Sequence, residues 1–178
     1  PKENLVGEPG QGWSYGKFLL ENERTGSAFI NYSKRELEKA REAARGEMKN
    51  GRPLLEDPEF ARRLARVQIE LQALEYSVLR VLGEEKSRYN STAVAAVLKL
   101  HGSDLHQKVT ELQVEALGPR ALIAFPEEQL VDPSLDLPGL PPYVAGRTAE
   151  YLISRAATIY GGSQQVQRGI IAKLAFGL

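Results

Sequence analysis

The sequence lacks cysteine altogether and has only one tryptophan, one methionine and two histidines among 178 residues. The absence of cysteine excludes a disulfide framework and any cysteine-ligated metal site. The 23 Lys and Arg residues balance the 23 Asp and Glu residues, so no excess charge favours nucleic acid or an anionic membrane as a partner. No apolar run approaches the roughly 20 residues that span a bilayer, and the first residues do not show the basic and then apolar pattern that is typical of a secretory leader. We therefore expect a cytoplasmic globular domain without nucleic-acid binding or membrane insertion. Because the first residue is Pro1, we also expect a fragment of a longer protein.

Helical spacing of apolar residues predicts an all-α bundle of about five helices. The predicted helices are residues 13–44, 57–82, 92–117 and 144–159, and a last one from Ser163 to the C-terminus. The third is apolar on most faces in its first half, which is typical of a central helix. Asp57 before Pro58, Asn90 or Ser91, and Ser163 are the predicted N-caps.

Two parts of the chain fall outside this helical pattern. Residues 1–12 contain one apolar pair, Leu5 and Val6, followed by glycine and proline, which predicts the end of a strand and a turn. Residues 124–142 are rich in proline and acidic residues, which predicts an irregular excursion on the surface. The predicted helical domain is therefore residues 13–178, preceded by a short strand and linker.

The glycine junction, residues 160–163 with the sequence Tyr-Gly-Gly-Ser, is the main candidate site. Adjacent glycines let a ligand approach the backbone closely, and a new helix N-terminus offers unpaired amide groups to polar or anionic groups. The alternative is an ordinary corner between helices in which the glycines serve only as a C-cap.

A metal site is not predicted. The segment HGSDLH brings His101, Asp104 and His106 close in sequence. On a helix, however, positions five apart point about 140° apart, whereas ligand pairs prefer a spacing of three or four residues.

Five sequence blocks occur in an order that closely resembles the C-terminal half of acyl-CoA dehydrogenases. They are GEPGQGW, LLENER, DPEFARRLARVQIELQAL, AAVLKLHGSDL and RAATIYGGSQQVQRGIIAK. The resemblance covers essentially the whole chain. It looks strongest to the bacterial branch that includes pimeloyl-CoA dehydrogenase large subunits and steroid side-chain dehydrogenases, partly because of the ending IIAKLAFGL.

The resemblance implies an FAD-dependent enzyme that dehydrogenates an acyl-CoA substrate between its α- and β-carbons. An electron-transfer flavoprotein would reoxidise the flavin, and the enzyme would be a homo- or hetero-oligomer, with a tetramer expected. The reaction needs a carboxylate base beside the α-carbon. Since the helical half would carry only part of the cleft, the resemblance implies that the isolated chain is inactive and binds little flavin.

The catalytic base is expected at Glu23. Many family members place the base directly after the tyrosine of the junction, but here Tyr160 is followed by Gly161, which has no side chain. In the isovaleryl-CoA and long-chain branches the base comes from a Glu-Arg pair in the first helix, which matches Glu23 and Arg24. The resemblance thus implies that Glu23 is the base and that Arg24 orients the base or the thioester end of the substrate.

The resemblance also assigns roles at the glycine junction. Tyr160 and Gly161 match positions that form part of the acyl-CoA wall. Gly162, Ser163 and Gln165 match positions that contact the flavin.

Two expected cofactor contacts are altered. Where many relatives have an Arg-x-x-Phe-Gly block, this chain has Glu47 and Asn50, although Arg45 or Arg52 could substitute. The glutamine-and-glycine run that cradles adenine is represented by imperfect matches: Glu115, Gly118 and Arg120. These changes suit a heteromeric enzyme whose subunits share each flavin. The alternatives left open are a non-catalytic structural subunit, an acyl-CoA oxidase and, more distantly, a helical interaction module.

Overall fold

Six α-helices account for most of the part of the chain that the structure describes. The computed structural model describes residues 1–22, 26–83, 90–125 and 139–178. The helices are α1 (Gly12–Asn22), α2 (Ile30–Gly46), α3 (Pro58–Gly83), α4 (Ser91–Leu117), α5 (Arg147–Ser154) and α6 (Gln164–Phe176). The predicted all-α class is therefore confirmed. Within the described ranges, no helix is both long and apolar enough to cross a bilayer.

The single helix predicted over residues 13–44 is wrong, because α1 and α2 are separate. A 3-10 turn, Gly26–Ala28, precedes α2, and Phe29 adopts a left-handed conformation with φ 54° at the N-cap of that helix. Ala28 is completely buried, and its backbone lies directly against Gly102 of α4. The break thus depends on a tertiary contact that helical periodicity cannot reveal.

A small β-hairpin lies between α2 and α3. Strands β1 (Met48–Lys49) and β2 (Arg52–Pro53) pair antiparallel. Asn50 and Gly51 between them both have positive φ angles, 53° and 78°. An Asn-Gly pair is the preferred sequence for such a two-residue hairpin turn because both residues tolerate positive φ.

Helix α3 follows the prediction closely. The Oδ1 atom of Asp57 accepts a hydrogen bond from the backbone N–H of Phe60 at 3.0 Å, which is an N-cap, and Pro58 occupies the first helical position. The apolar stripe is buried: Phe60, Leu64, Val67, Leu71, Leu74 and Val78. This stripe packs into the same core as α2 and α4.

Helix α4 is the central element, as predicted. Oδ1 of Asn90 accepts from the N–H groups of Thr92 and Ala93, which fixes the start of the helix. The helix ends at Gly118, whose φ of 53° favours glycine. It contacts α2, α3, α5 and α6, and about half of its residues are buried. Buried side chains of α4 therefore face several other elements.

The remaining predicted elements differ from the structure in length or type. The helix predicted over residues 144–159 is shorter: α5 is flanked by 3-10 turns, Pro142–Val144 and Arg155–Thr158. The strand predicted within residues 1–12 is absent from the described chain, where a 3-10 turn, Lys2–Asn4, occurs instead. Most of the predicted excursion, residues 126–138, lies outside the described residues.

Candidate functional site

The glycine junction joins the 3-10 turn Arg155–Thr158 to α6. Gly161 and Gly162 both have positive φ, 68° and 97°, a conformation that other residues rarely adopt. A Cβ atom on Gly162 would collide with the side-chain amide of Gln167, whereas one on Gly161 would reach only Cε of Lys99 at 3.8 Å. Conformation therefore favours glycine at both positions, and a side chain at Gly162 would in addition displace the Gln167 amide group.

Side chains from two different helices bind the carbonyl groups of the glycine junction. The Nζ atom of Lys99, on α4, donates to the carbonyl oxygen of Gly162 at 2.7 Å. The Nε2 atom of Gln167, on α6, donates to the carbonyl oxygen of Gly161 at 2.8 Å. Both peptide groups are consequently held in one orientation.

The start of α6 is capped and tied to α4. The Oγ atom of Ser163 accepts from the N–H of Val166 at 3.3 Å, which confirms the predicted N-cap. Nε2 of Gln164 donates to Oδ1 of Asp104 at 2.7 Å. Gln165 is exposed on the first turn. The earliest amide groups of a helix have no acceptor inside it, so this exposed end can offer donors to a polar ligand.

The outer side of the junction is apolar and exposed. Tyr160 is half exposed, and Ile159, which precedes it, is exposed as well. Leu152 and Ile153 at the end of α5 are also exposed. An apolar wall next to the amide donors of α6 suits a ligand with both an aliphatic and a polar part. Of the predicted site residues, the structure brings together Tyr160, Gly161, Gly162, Ser163 and Gln165.

Glu23 and Arg24 lie outside the described residues. The described elements on either side are α1, which ends at Asn22, and the 3-10 turn Gly26–Ala28. That turn packs closely against α4 at Gly102. A Cβ atom added to Gly102 would lie only 2.6 Å from the Cα and the carbonyl oxygen of Ala28.

Two of the positions at which the sequence departs from the expected pattern, Glu47 and Arg120, contact each other. A carboxylate oxygen of Glu47 forms an ion pair with Arg120 and accepts a hydrogen bond from the Tyr143 hydroxyl at 3.2 Å. Burial, together with the Glu47 carboxylate, raises the pKa of Tyr143. Arg45 and Arg52 are exposed near the hairpin. The Glu47–Arg120 ion pair thus links the hairpin region to the segment that follows α4, and Arg45 and Arg52 are exposed cations nearby.

A buried ionic cluster joins α2, α4 and α5. The carboxylate of Glu36 is 2% exposed and accepts from Arg147 at 2.9 Å, Gln113 at 2.9 Å and Lys39 at 2.7 Å. Burial alone would raise the pKa of Glu36, but the Gln113 hydrogen bond and the Lys39 and Arg147 cations hold it below its usual value. This cluster is structural, because all of its charges are satisfied within the bundle.

His106 lies in a second polar cluster beside the first. Its ring stacks on Phe29, with centroids 5.6 Å apart, and packs edge-on against Tyr32 at 4.9 Å. Nε2 lies 3.7 Å from a Glu150 carboxylate oxygen, and Nδ1 has no partner within the described structure. Burial lowers the pKa of His106, with Glu150 opposing the shift. Burial and the Glu150 hydrogen bond raise the pKa of Tyr32.

The two histidines of the HGSDLH segment point into different surroundings, His101 to the surface and His106 into the core. Among the residues that the structure describes, no group of histidine and carboxylate side chains could hold a metal ion.

The sequence model of the family described as "Acyl-CoA dehydrogenase, C-terminal domain" matches residues 10–176. The chain belongs to the acyl-CoA dehydrogenase family. It is 30% identical over 181 residues to Acyl-CoA dehydrogenase IpdE1 of Mycobacterium tuberculosis, and the match covers 98% of this chain but 40% of that protein. The chain therefore spans less than half the length of this acyl-CoA dehydrogenase.

Solved structures give the same family fold. The ChsE4-ChsE5 complex from Mycobacterium tuberculosis is similar with a TM-score of 0.71 and 25% identity, covering all of this chain and 44% of that one. The FAD complex of PigA matches with a TM-score of 0.69 at 18% identity, covering 97% of this chain and 41% of that one. The latter likeness supports the fold of the acyl-CoA dehydrogenase helical domain and no more.

Two contacts at the glycine junction, those of Lys99 and Gln167, were missed by sequence reasoning. Gln167 lies within the block that carries the family resemblance, so its presence was visible but its contact was not. Lys99 is 63 residues from Gly162 along the chain. A lysine within an otherwise apolar helical segment, AAVLKL, was the available signal.

Proposed function

We propose that this chain is the helical C-terminal part of an FAD-dependent dehydrogenase that oxidises an acyl-CoA thioester between its α- and β-carbons. The glycine junction carries the proposal, because it joins an exposed apolar wall to the open N-terminus of α6 within a chain of this family. An acyl-CoA is itself such a molecule, with an aliphatic chain and polar, anionic groups.

The residues of the junction fit one edge of FAD. Gly162 keeps the backbone open beside the Gln167 amide group, and the start of α6 presents the partly exposed Ser163 and the exposed Gln165 with the first amides of the helix. We assign Gly162, Ser163 and Gln165 to flavin binding and Tyr160 and Gly161 to the acyl-CoA wall. FAD, when bound, supplies the acceptor for the hydride that leaves the β-carbon.

We propose Glu23 as the base that takes the α-proton onto a carboxylate oxygen. Gly161 has no side chain and cannot serve this role, and Glu23 matches the alternative position found in related branches. A carboxylate beside an acyl chain loses water, which raises its pKa toward working pH and makes it an effective base. Arg24 would orient the base or the thioester group.

The proposed parent enzyme passes its electrons to an electron-transfer flavoprotein and assembles as an oligomer, with a tetramer expected. We do not expect activity or appreciable FAD affinity from the 178 residues alone, since they span 40% of the IpdE1 relative. The acyl group is expected to be bulky, such as a branched chain or a steroid side chain, because Gly161 leaves space where relatives carry glutamate.

A heteromeric enzyme in which this chain is a non-catalytic subunit is the second candidate. The observation that favours it is the Glu47–Arg120 ion pair, because two positions that depart from the cofactor-binding pattern bind each other. In that case FAD would be retained only when a partner subunit is co-expressed.

The test is anaerobic flavin reduction in the full-length enzyme, monitored by absorbance, with straight-chain, branched and steroid-side-chain acyl-CoA thioesters. We expect Glu23→Gln to bind FAD and substrate but to reduce the flavin at least about a hundredfold more slowly, the usual minimum contribution of a positioned general base. Glu21→Gln, two residues away, is the matched control and should reduce it at the wild-type rate. Equal rates for Glu23→Gln and wild type would show that the base lies elsewhere.

A further inference from the structure

Lys99 is a buried cation in the interior of α4. The residue is 4% exposed, and its neighbours on the helix, Leu98 and Ala96, are buried core residues. Lysine is almost never fully buried unless its ammonium group has a partner. The partner here is the carbonyl oxygen of Gly162, at 2.7 Å.

The Lys99 ammonium group lacks a carboxylate within ion-pair distance in the described structure. Asp104 is the acidic residue whose field reaches it, and the carboxylate of Asp104 accepts a hydrogen bond from Gln164 instead. Burial therefore lowers the pKa of Lys99, and the charge of Asp104 only partly opposes this shift. An apolar side chain would fill the same space without the free-energy cost of removing an ammonium group from water, so the amino group is not needed for packing.

The hydrogen bond from Lys99 acts on a segment that is already unusual. Gly161 and Gly162 have positive φ angles, and the carbonyl oxygen of each accepts a hydrogen bond from a side chain. Gln167 supplies one from α6, which is continuous with the junction, and Lys99 supplies the other from α4. Of these two bonds, the one from Lys99 ties the junction to the central helix α4, next to the Gln164–Asp104 hydrogen bond that ties the start of α6 to the same helix.

We propose that Lys99 is a positioning residue that fixes the glycine junction against α4 and so aims the first amides of α6 and Ser163 at the cofactor. The expected effect of Lys99 on FAD binding rests on the proposed function, whereas its effect on the glycine junction does not depend on any activity.

The experiment compares Lys99→Met with Lys108→Met in the full-length protein. Lys108 lies on the same helix, is exposed and pairs with Glu70, so the control removes the same charge far from the junction. Two properties are measured: hydrogen–deuterium exchange of residues 159–167, and the dissociation constant of FAD. Lys99→Arg, which keeps a cation, is the conservative variant.

We expect Lys99→Met to speed amide exchange in residues 159–167 and to weaken FAD binding, each by at least about tenfold, the usual worth of a hydrogen bond from a charged group. Lys108→Met should stay within about twofold of wild type, as surface substitutions do. Lys99→Arg should fall between wild type and Lys99→Met in both measurements.

Three outcomes would overturn part of the reasoning, and they can be told apart. Unchanged exchange in Lys99→Met would show that Lys99 does not hold the junction. Faster exchange with unchanged FAD affinity would show that the junction does not position the cofactor. If wild type is not reduced by any acyl-CoA, the proposed function fails, while the exchange data still decide the role of Lys99.

Discussion

The contact between Gly102 and Ala28 gives the sharpest test of the fold. We expect Gly102→Ala to destabilise the protein although alanine is the better helix former. The added Cβ would lie 2.6 Å from both the Cα and the carbonyl oxygen of Ala28, closer than real Cβ atoms approach. Because those atoms belong to the backbone, no side-chain rotation can relieve the contact.

The magnitude follows from two opposing contributions. Replacing glycine by alanine within a helix stabilises by about 1 kcal/mol. Overpacking a filled core costs about 1–3 kcal/mol, and the upper end applies here because Ala28 is completely buried and the clashing atoms belong to its backbone. The net loss is then about 2 kcal/mol, which for a chain of this size lowers the melting temperature by about 4–8 °C.

Gly169 provides the matched control for this prediction. It lies within α6, has no positive φ, and a Cβ atom there would meet nothing within 4 Å. Gly169→Ala should therefore raise the melting temperature by about 2–4 °C. Thermal unfolding followed by circular dichroism at 222 nm measures both variants. If Gly102→Ala raised the melting temperature as Gly169→Ala does, α4 would not pack against the Gly26–Ala28 turn and the packing described above would be wrong.

Two further predictions concern the buried polar clusters. Because burial lowers the pKa of His106, the unfolded state takes up more protons than the folded state once the pH falls below the unfolded value of about 6.5. The free energy of unfolding should thus fall with decreasing pH in that window, by at most about 1.4 kcal/mol per pH unit. Denaturant titrations at several pH values measure this dependence. The free energy of unfolding should depend less steeply on pH in His106→Phe, but not in the exposed control His101→Phe. Removing one partner of the Glu36 cluster with Arg147→Met should lower the free energy of unfolding by about 3 kcal/mol. The double variant Glu36→Met with Arg147→Met should recover part of this loss. If the losses of the two single variants simply added in the double variant, Glu36 and Arg147 would not interact directly.

Local signals in the sequence were sufficient for the elements that depend on local chemistry. The start of α3 followed from Asp57 and Pro58, its buried face from the spacing of its apolar residues, and the start of α6 from Ser163. The central position of α4 followed from a segment that is apolar on most faces. In each case the deciding interactions lie within one or two helical turns.

The misplaced boundaries have tertiary causes. The break before α2 depends on Gly102 admitting the backbone of Ala28 and on the His106 ring stacking on Phe29. The early end of α5 coincides with Arg155, whose guanidinium donates to the carbonyl oxygen of Gln107 on α4 at 3.1 Å. Partners so far apart in sequence leave no periodic signal. The family resemblance identified the glycine junction, but the residues that hold it could be found only in three dimensions.

One turn of α4 contacts both the glycine junction and the Gly26–Ala28 turn. Lys99 binds the glycine junction, and Gly102, three residues later and thus on a neighbouring face, seats the Gly26–Ala28 turn that follows Glu23 and Arg24 in the sequence. A helix is stiff over one turn, so the spacing between these two contacts is fixed by backbone geometry. The glycine junction, which we propose binds the cofactor, and the Gly26–Ala28 turn are therefore positioned by the same helical turn. A buried lysine and a helical glycine are each unfavourable by themselves, but here each makes the contact that positions one of these two segments.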